Sequence, residues 1–278
     1  MSALPARQIA AISIIAIGSA SAVSGGAWTQ PRGHYYAKAS VLHFESPEFL
    51  DQDGNRTERL RSGELSDLSV ITYIEYGVTD DLTLVISAPY RRLEDRRTFT
   101  GQGIAIERVR RLGDLELRAR HRLPLSVVSA VALGAKIPMG YDISEDLRVP
   151  PGTGEIDADV RLLVGQSLHP QPAYVTGEIG FRRRGGTFSD DLFASLEGGY
   201  THDHVTLKGY AAGVSTSGSC SERAQGDLLG DQDLLKLTPG LIYRASKRID
   251  LSIELSVLVS GCNTAAGNSV IFGVALRN

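Results

Sequence analysis

The chain has 278 residues and a net charge of −3, and it is 42% hydrophobic, 22% charged and 6% aromatic. This composition is too hydrophobic for a disordered chain and too charged for a bundle of membrane-spanning helices. It also lacks the excess of Lys and Arg with which proteins bind nucleic-acid phosphates, so we expect no nucleic-acid partner.

The first residues have the pattern of a secretory signal peptide. Arg7 precedes an apolar stretch at residues 9–17, and the small residues Ala20-Ser-Ala22 follow it. We therefore expect export, with residues 1–22 as the signal peptide and cleavage near Ala22. The apolar stretch is well short of the ~20 residues that a membrane-spanning helix needs, and no later segment approaches that length.

Alternation of apolar and polar residues with a period of two, the signature of a β-strand, recurs along the rest of the chain. In residues 249–259 every odd-numbered residue is apolar, and in residues 114–122 every even-numbered residue is charged. The same pattern predicts twelve strands near residues 34–44, 66–76, 82–92, 113–123, 127–137, 157–167, 173–183, 191–200, 205–215, 234–244, 249–259 and 268–277.

The predicted connections differ in length at the two ends of the strands. They are short at residues 78–81, 124–126, 168–172, 201–204 and 245–248, and long, polar and Gly-rich at residues 45–65, 93–112, 138–156 and 216–233. Short periplasmic turns and long extracellular loops are typical of outer-membrane barrels. The sequence therefore predicts an all-β fold, a transmembrane up-and-down antiparallel β-barrel of about twelve strands at residues 33–278.

The apolar faces of these strands are expected to contact lipid. Twelve strands enclose an interior that is too wide for Ala, Val, Leu and Gly side chains to fill. The reverse arrangement would cost about 2–4 kcal/mol for each Arg at the bilayer midplane. Tyr76, Tyr200, Tyr243, Tyr90 and Phe181 end strands on the apolar face, where we expect aromatic belts at the bilayer interfaces.

The charged faces are then expected to line the lumen. Both signs occur on neighbouring strands, so we expect many cross-strand ion pairs, and the row of three arginines on the fourth strand is the best candidate for attracting anions. The predicted lumen-lining residues are Lys38, Glu75, Arg91, Glu116, Arg118, Arg120, Arg122, Lys136, Asp159, Arg161, Glu178, Arg182, Lys208, Lys236, Asp250 and Glu254.

The segment at residues 23–32 is Gly-rich and contains Trp28 and Pro31. It is interpreted either as a periplasmic plug that folds into the mouth of the barrel or as a plain linker. A plug would narrow the conduction path, whereas a linker would leave it unchanged.

Cys220 and Cys262 lie in polar, Gly/Ser-rich segments of a chain that we expect to be exported. We predict a disulfide between two loops, with two free thiols as the alternative. No His lies near them at zinc-finger spacing, so neither a metal site nor another cofactor is expected.

The sequence does not carry the motifs of a hydrolase, and we predict no enzymatic activity. It lacks a Gly-x-Ser-x-Gly nucleophile motif. His43 is near the extracellular end of the first strand, and Ser66 on the second strand is the one candidate to lie across from it, as the only Ser–His pair worth naming. The segment at residues 51–55 is similar to a calcium loop, but its glycine comes too early and no Glu follows at the required offset.

Three stretches of the chain resemble a known family. They are Gly26-Ala-Trp28-Thr-Gln-Pro31-Arg-Gly33, Tyr73-Ile-Glu-Tyr76-Gly77-Val-Thr-Asp-Asp81 running on to Ser87-Ala-Pro89-Tyr90, and Gly113-Asp-Leu-Glu-Leu-Arg-Ala-Arg. Together they resemble the outer-membrane barrels of the MetA pathway of phenol degradation, over most of the mature chain. The resemblance implies a Gram-negative outer-membrane barrel with a role in the uptake of small, often aromatic or hydrophobic compounds, and it supplies no site residues.

These observations predict a barrel in the cell outer membrane that passively admits small organic solutes. The alternative is a structural or surface-interaction barrel with a closed lumen and no transport. The expected partners are outer-membrane lipid, a small-molecule solute and the barrel-assembly machinery. The chain ends in Arg277-Asn278, without the terminal aromatic residue that this machinery recognises in many barrels.

Overall fold

A computed structural model of the chain describes residues 26–59, 62–99, 103–141, 149–218, 220 and 231–278, so the expected signal peptide lies outside the described residues. None of the described residues forms a helix that is long and apolar enough to cross a membrane. The strands are β1 (Tyr35–Ser46), β2 (Glu48–Leu50), β3 (Arg56–Glu58), β4 (Glu64–Gly77), β5 (Leu82–Phe99), β6 (Gly103–Leu112), β7 (Asp114–Arg122), β8 (Val128–Pro138), β9 (Asp157–Ser167), β10 (Ala173–Arg183), β11 (Asp191–His202), β12 (Val205–Thr216), β13 (Asp233–Arg244), β14 (Ile249–Cys262), β15 (Thr264–Ala265) and β16 (Asn268–Arg277).

The long strands form a closed antiparallel barrel. Neighbours in sequence are neighbours in the sheet, β1 pairs with both β4 and β16, and the pairing of β4 with β5 closes the ring. β6 and β7 both pair with β5 and form one barrel strand that is interrupted at Gly113. The barrel therefore has twelve strands, which confirms the predicted fold class.

The outer and inner faces of the barrel differ in polarity in the way that the alternation predicts. Outward-facing Leu133 and Leu196 are exposed, and so are the five strand-end aromatic residues that the sequence assigns to the apolar face. Inward-facing Lys38 and Glu75 are buried, Glu75 with only 1% of its surface exposed. Because side chains of successive residues point to opposite faces of a sheet, one polar face per strand surrounds the interior.

The inner wall is not charged along its whole length. One cluster of buried apolar residues lies inside the barrel. It consists of Leu42, Phe44, Leu65, Leu93, Val109, Val149, Ala265 and Ile271. Most of these residues come from the extracellular ends of strands, and Val149 and Ala265 come from loops. The loops thus pack onto an apolar part of the upper interior.

The predicted loop at residues 93–112 is wrong. β5 continues to Phe99 and β6 begins at Gly103, so the two strands form a long hairpin. Ser87 lies opposite Glu116 while Tyr90 lies opposite Leu112, so residues 88–89 face residues 113–115 in a bulge. The period-two pattern did not predict this hairpin, because charged residues occupy both of its faces and remove the alternation of apolar and polar residues.

The long connections at the extracellular end are partly ordered as well. β2, β3 and β15 form a small separate sheet. Leu50 of β2 packs in a second apolar cluster with Leu258 and Ala266. Leu258 breaks the alternation of β14 in the sequence because its inward-facing side chain packs against residues of the small sheet and the connection beside it.

A disulfide joins Cys220 to Cys262 at the end of β14, with 6.2 Å between their Cα atoms. The side-chain amide of Asn263 donates to the carbonyl oxygens of Cys220 at 2.6 Å and Asp231 at 3.1 Å. The disulfide and these two hydrogen bonds together attach this part of the long connection between β12 and β13 to the end of β14.

We predict that Leu133→Arg lowers the free energy of unfolding by about 2–4 kcal/mol, because it places a charge on the lipid-facing wall in the middle of β8. Leu125→Arg is the matched control: Leu125 is as exposed as Leu133 (63% against 64%) but lies in a short turn, where we expect about 0–1 kcal/mol. Urea unfolding in lipid vesicles measures both. Equal effects would show that the outer wall at Leu133 does not contact acyl chains.

Candidate functional site in the barrel lumen

A four-residue ion-pair network lies in the middle of the lumen. The carboxylate of Glu254 accepts from the ammonium of Lys38 at 2.7 Å and lies 2.8 Å from that of Lys208. Glu197 lies 3.7 Å from Lys208 on the other side. The four side chains come from β1, β11, β12 and β14 and are all buried, so the network spans the interior.

A second network lies on the wall formed by β9, β10 and β11. Arg161 donates to Asp159 at 2.6 Å and to Glu178 at 3.1 Å. The guanidinium groups of Arg161 and Arg182 lie 4.5 and 5.5 Å from the ring centroid of Phe193. This is a cation–π arrangement, in which the ring offers its negative face to the cations.

Residues 149–154 enter the lumen from the extracellular side. Arg91 donates to the carbonyl of Pro151 at 2.9 Å and to Asp67 at 2.6 Å. Lys136 lies 2.8 Å from Asp157 and also donates to Thr153. The inner-wall charges thus hold the loop as well as one another.

Tyr141 ties the same loop to the inner wall. Its hydroxyl donates to Asp114 and accepts from the backbone N–H of Gly154 at 3.1 Å. Burial, and then the neighbouring Asp114 carboxylate, raise the pKa of Tyr141 well above its usual range, so the phenol remains a hydrogen-bond donor.

Residues 26–32 occupy the opposite, periplasmic end of the interior. The side-chain amide of Gln30 donates to Glu75 at 2.7 Å, and its backbone N–H donates to Thr83 at 2.8 Å. Glu75 also pairs with Arg120 at 3.0 Å, and Arg120 donates to the carbonyl of Gly26 at 3.1 Å. The segment is therefore hydrogen-bonded to buried charged groups of the inner wall.

Two glycines leave the space that this segment needs. A Cβ atom on Gly77 would lie 2.1 Å from the carbonyl oxygen of Pro31, and one on Gly165 would lie 2.8 Å from the ring of Trp28. The Trp28 ring meets Tyr174 edge to face, with 6.2 Å between centroids. Any side chain at either glycine would push the segment out of its place.

The lumen contains a cavity of about 100 Å³. Its lining combines charged and apolar side chains from β7, from β9 through β14 and from β16. Glu116, Arg161, Glu178, Arg182, Lys236 and Glu254, six of the predicted lumen residues, contribute to it.

The structure distributes the predicted lumen residues over three degrees of burial. Lys38, Glu75, Arg91, Arg120, Lys136, Arg161, Lys208 and Glu254 are buried; Glu116, Arg118, Asp159, Glu178, Arg182, Lys236 and Asp250 are half-buried; and Arg122 is exposed. Within the predicted arginine row, Arg120 is engaged by Glu75 and Arg118 lies 3.5 Å from Glu116. The arginines of this row therefore pair with different carboxylates.

The Ser–His pair expected from the sequence does not form. Ser66 lies opposite Glu45, and His43 lies opposite Leu68 and 3.5 Å from Glu45. The prediction that Ser66 and His43 face each other was wrong because the true register is shifted by two residues. In the first loop, the Asp51 carboxylate accepts from the backbone N–H groups of Asp53 and Asn55 at 2.9 and 2.8 Å, and so stabilises a turn.

Sequence reasoning missed a buried charged cluster at the extracellular hairpin. Asp95 accepts from Arg97 at 2.6 Å and from the loop residue Arg59 at 3.2 Å. Continuing the inward parity of β5 through Arg91, Leu93 and Asp95 would have found two of its members. The loop residue Arg59 gives no such signal.

The fold and lumen define the class of this protein as a transmembrane β-barrel of the type found in outer-membrane proteins. Among solved structures, it is similar to an outer membrane channel from Pseudomonas putida F1, with a TM-score of 0.72 and 14% identity over 92% of this chain and 99% of that chain. It is also similar to the translocator domain of the autotransporter NalP from Neisseria meningitidis, with a TM-score of 0.52 and 12% identity over 90% of each chain.

At these identities the two similarities establish the fold alone. Comparison with models of known families finds no match, and comparison with curated proteins finds none either. The resemblance to the phenol-degradation barrels therefore stays a prediction.

We predict that Glu254→Gln lowers the free energy of unfolding by about 3 kcal/mol, because it leaves the buried ammonium groups of Lys38 and Lys208 beside a neutral amide. Glu48→Gln is the control, in an exposed pair with Arg56 that we expect to contribute less than about 1 kcal/mol. Urea titration monitored by tryptophan fluorescence measures both variants. A loss no larger for Glu254→Gln than for the control contradicts the prediction.

Proposed function

We propose that this protein is an outer-membrane channel that passively admits small organic solutes. The observation that carries the proposal is the cavity within a closed barrel, lined by charged and apolar side chains together. The outward apolar wall supports a place in a bilayer, and the expected signal peptide supports export to the outer membrane. Conductance of the purified protein in planar bilayers tests the proposal.

We further propose that residues 26–32 act as a plug that narrows the periplasmic mouth. Gln30 and the backbone of Gly26 are bonded to Glu75 and Arg120, which are buried in the inner wall. With residues 149–154 at the other end, the free path is narrow, and this favours small solutes over large ones. The charged lining favours solutes that carry a polar group over pure hydrocarbons.

The alternative is a structural or surface-interaction barrel with a closed lumen. Its supporting observation is the number of buried, paired charges in the interior, which a closed barrel also needs for stability. The two functions differ in a direct measurement: a closed barrel gives no discrete current steps, and the proposed channel does. A wild-type protein that inserts, is heat-modifiable on gels and gives no current would establish the alternative.

We predict that the double variant Trp28→Ala/Gln30→Ala raises single-channel conductance by about twofold or more. The changes remove the ring contact with Tyr174 and the hydrogen bond to Glu75, which hold the segment inside the lumen. Thr29→Ala is the control, because its hydroxyl bonds the exposed rim at Asp80 instead. Conductance that does not differ between the double variant and Thr29→Ala would discard the plug.

A further inference from the structure

The lumen cavity exists because small side chains occupy one row of the inner wall. Across four neighbouring strands this row reads Glu178, Ser195, Ala212 and Lys236. In the adjacent row on the extracellular side, Phe193 lies opposite Val214, which lies opposite Leu234. Two long charged side chains thus face each other across two short ones, with an apolar row beside them.

Lys236 is the cation without a partner in this cavity. Among the residues that the structure describes, no carboxylate lies within ion-pair distance of its ammonium group, and no hydrogen bond to it is found. The charge with which it interacts is another cation, Arg91. This half-buried ammonium group lacks the counter-charge that ions inside proteins normally have.

The carboxylates around the cavity are engaged elsewhere. Glu178 accepts from Arg161 at 3.1 Å, and Glu254 binds both Lys38 and Lys208. Glu116 lies 3.5 Å from Arg118. None of these three acids is thus available to Lys236 without a loss of another pair.

A second cation at the cavity, Arg182, lies opposite Asp191 and Asp159 on the two neighbouring strands, so carboxylates already flank its charge. Arg182 also lines the cavity, and its guanidinium lies over the ring of Phe193. Its buried Nε atom has no hydrogen-bond partner among the described residues. An anion in the cavity would supply the counter-charge that Lys236 lacks.

We propose that the cavity is a binding site for a small organic monocarboxylate, whose carboxylate contacts Lys236 and whose apolar part packs toward Phe193 and Leu234. This inference rests on the proposed channel function and assigns its solute class. A carboxylate is favoured over inorganic phosphate because three carboxylates also line the cavity, which disfavours a multiply charged anion, and the neighbouring row is apolar.

The volume limits the size of this ligand. A water molecule has a share of about 30 Å³ in the liquid, and a cavity of ~150 Å³ is known to hold benzene. The 100 Å³ cavity therefore has room for a carboxylate of the size of acetate or propionate, but not for an aromatic acid such as benzoate.

The test compares the wild type with Lys236→Gln, and Lys247→Gln serves as the matched control because Lys247 is exposed in a short turn. Reversal potentials in potassium acetate gradients should show that Lys236→Gln lowers the acetate-to-potassium permeability ratio by at least about threefold. The control should match the wild type, and Lys236→Arg should keep most of the ratio. Conduction with a ratio unchanged in Lys236→Gln overturns the inference and leaves the channel intact.

Equilibrium binding separates this inference from the channel proposal. Acetate and propionate, titrated into detergent-solubilised protein, should raise the Tm of the wild type and of Lys247→Gln but not that of Lys236→Gln, and benzoate should raise none of them. Binding without any conductance would refute the channel and keep the site. No Tm shift with acetate or propionate in a heat-modifiable, folded wild type would overturn the site.

Discussion

The structure depends on the pairing of charges that a closed barrel takes out of bulk water. The inner wall of this barrel carries Lys, Arg, Asp and Glu on nearly every strand, and few of them retain much contact with solvent. A lone buried charge is costly, whereas a paired and hydrogen-bonded one is tolerated. Glu254 illustrates the rule, because it holds two ammonium groups from strands on either side of its own strand.

The same requirement explains why chain segments from both ends enter the lumen. Glu75 and Arg120 have more hydrogen-bonding capacity than they satisfy between themselves, and Gln30 and the Gly26 carbonyl take up part of what is left. Arg91 similarly takes a carbonyl from residues 149–154 in addition to Asp67. The segments therefore complete the polar network of the wall, and their positions follow from unsatisfied groups on the strands.

The barrel itself was predictable from sequence, because a period of two in hydrophobicity is a property of each strand alone. All twelve barrel strands lie at or near their predicted positions, and Leu133 and Glu75 face the predicted sides. The hairpin beyond Tyr90 was not predictable in this way, since charged residues on both faces remove the period. The register error at His43 and Ser66 has another cause: parity assigns a face, but the partner on the next strand depends on the loop between them.

The charged lining shows the same division between local and long-range information. That Lys236 and Glu178 face the interior follows from alternation within their own strands. That Ser195 and Ala212 separate them follows only from the register of four strands together. A carboxylate on the neighbouring strand in place of Ala212 would have given Lys236 a partner and filled the space beside it. The cavity and its unpaired cation thus have one cause, the small side chains between two long ones.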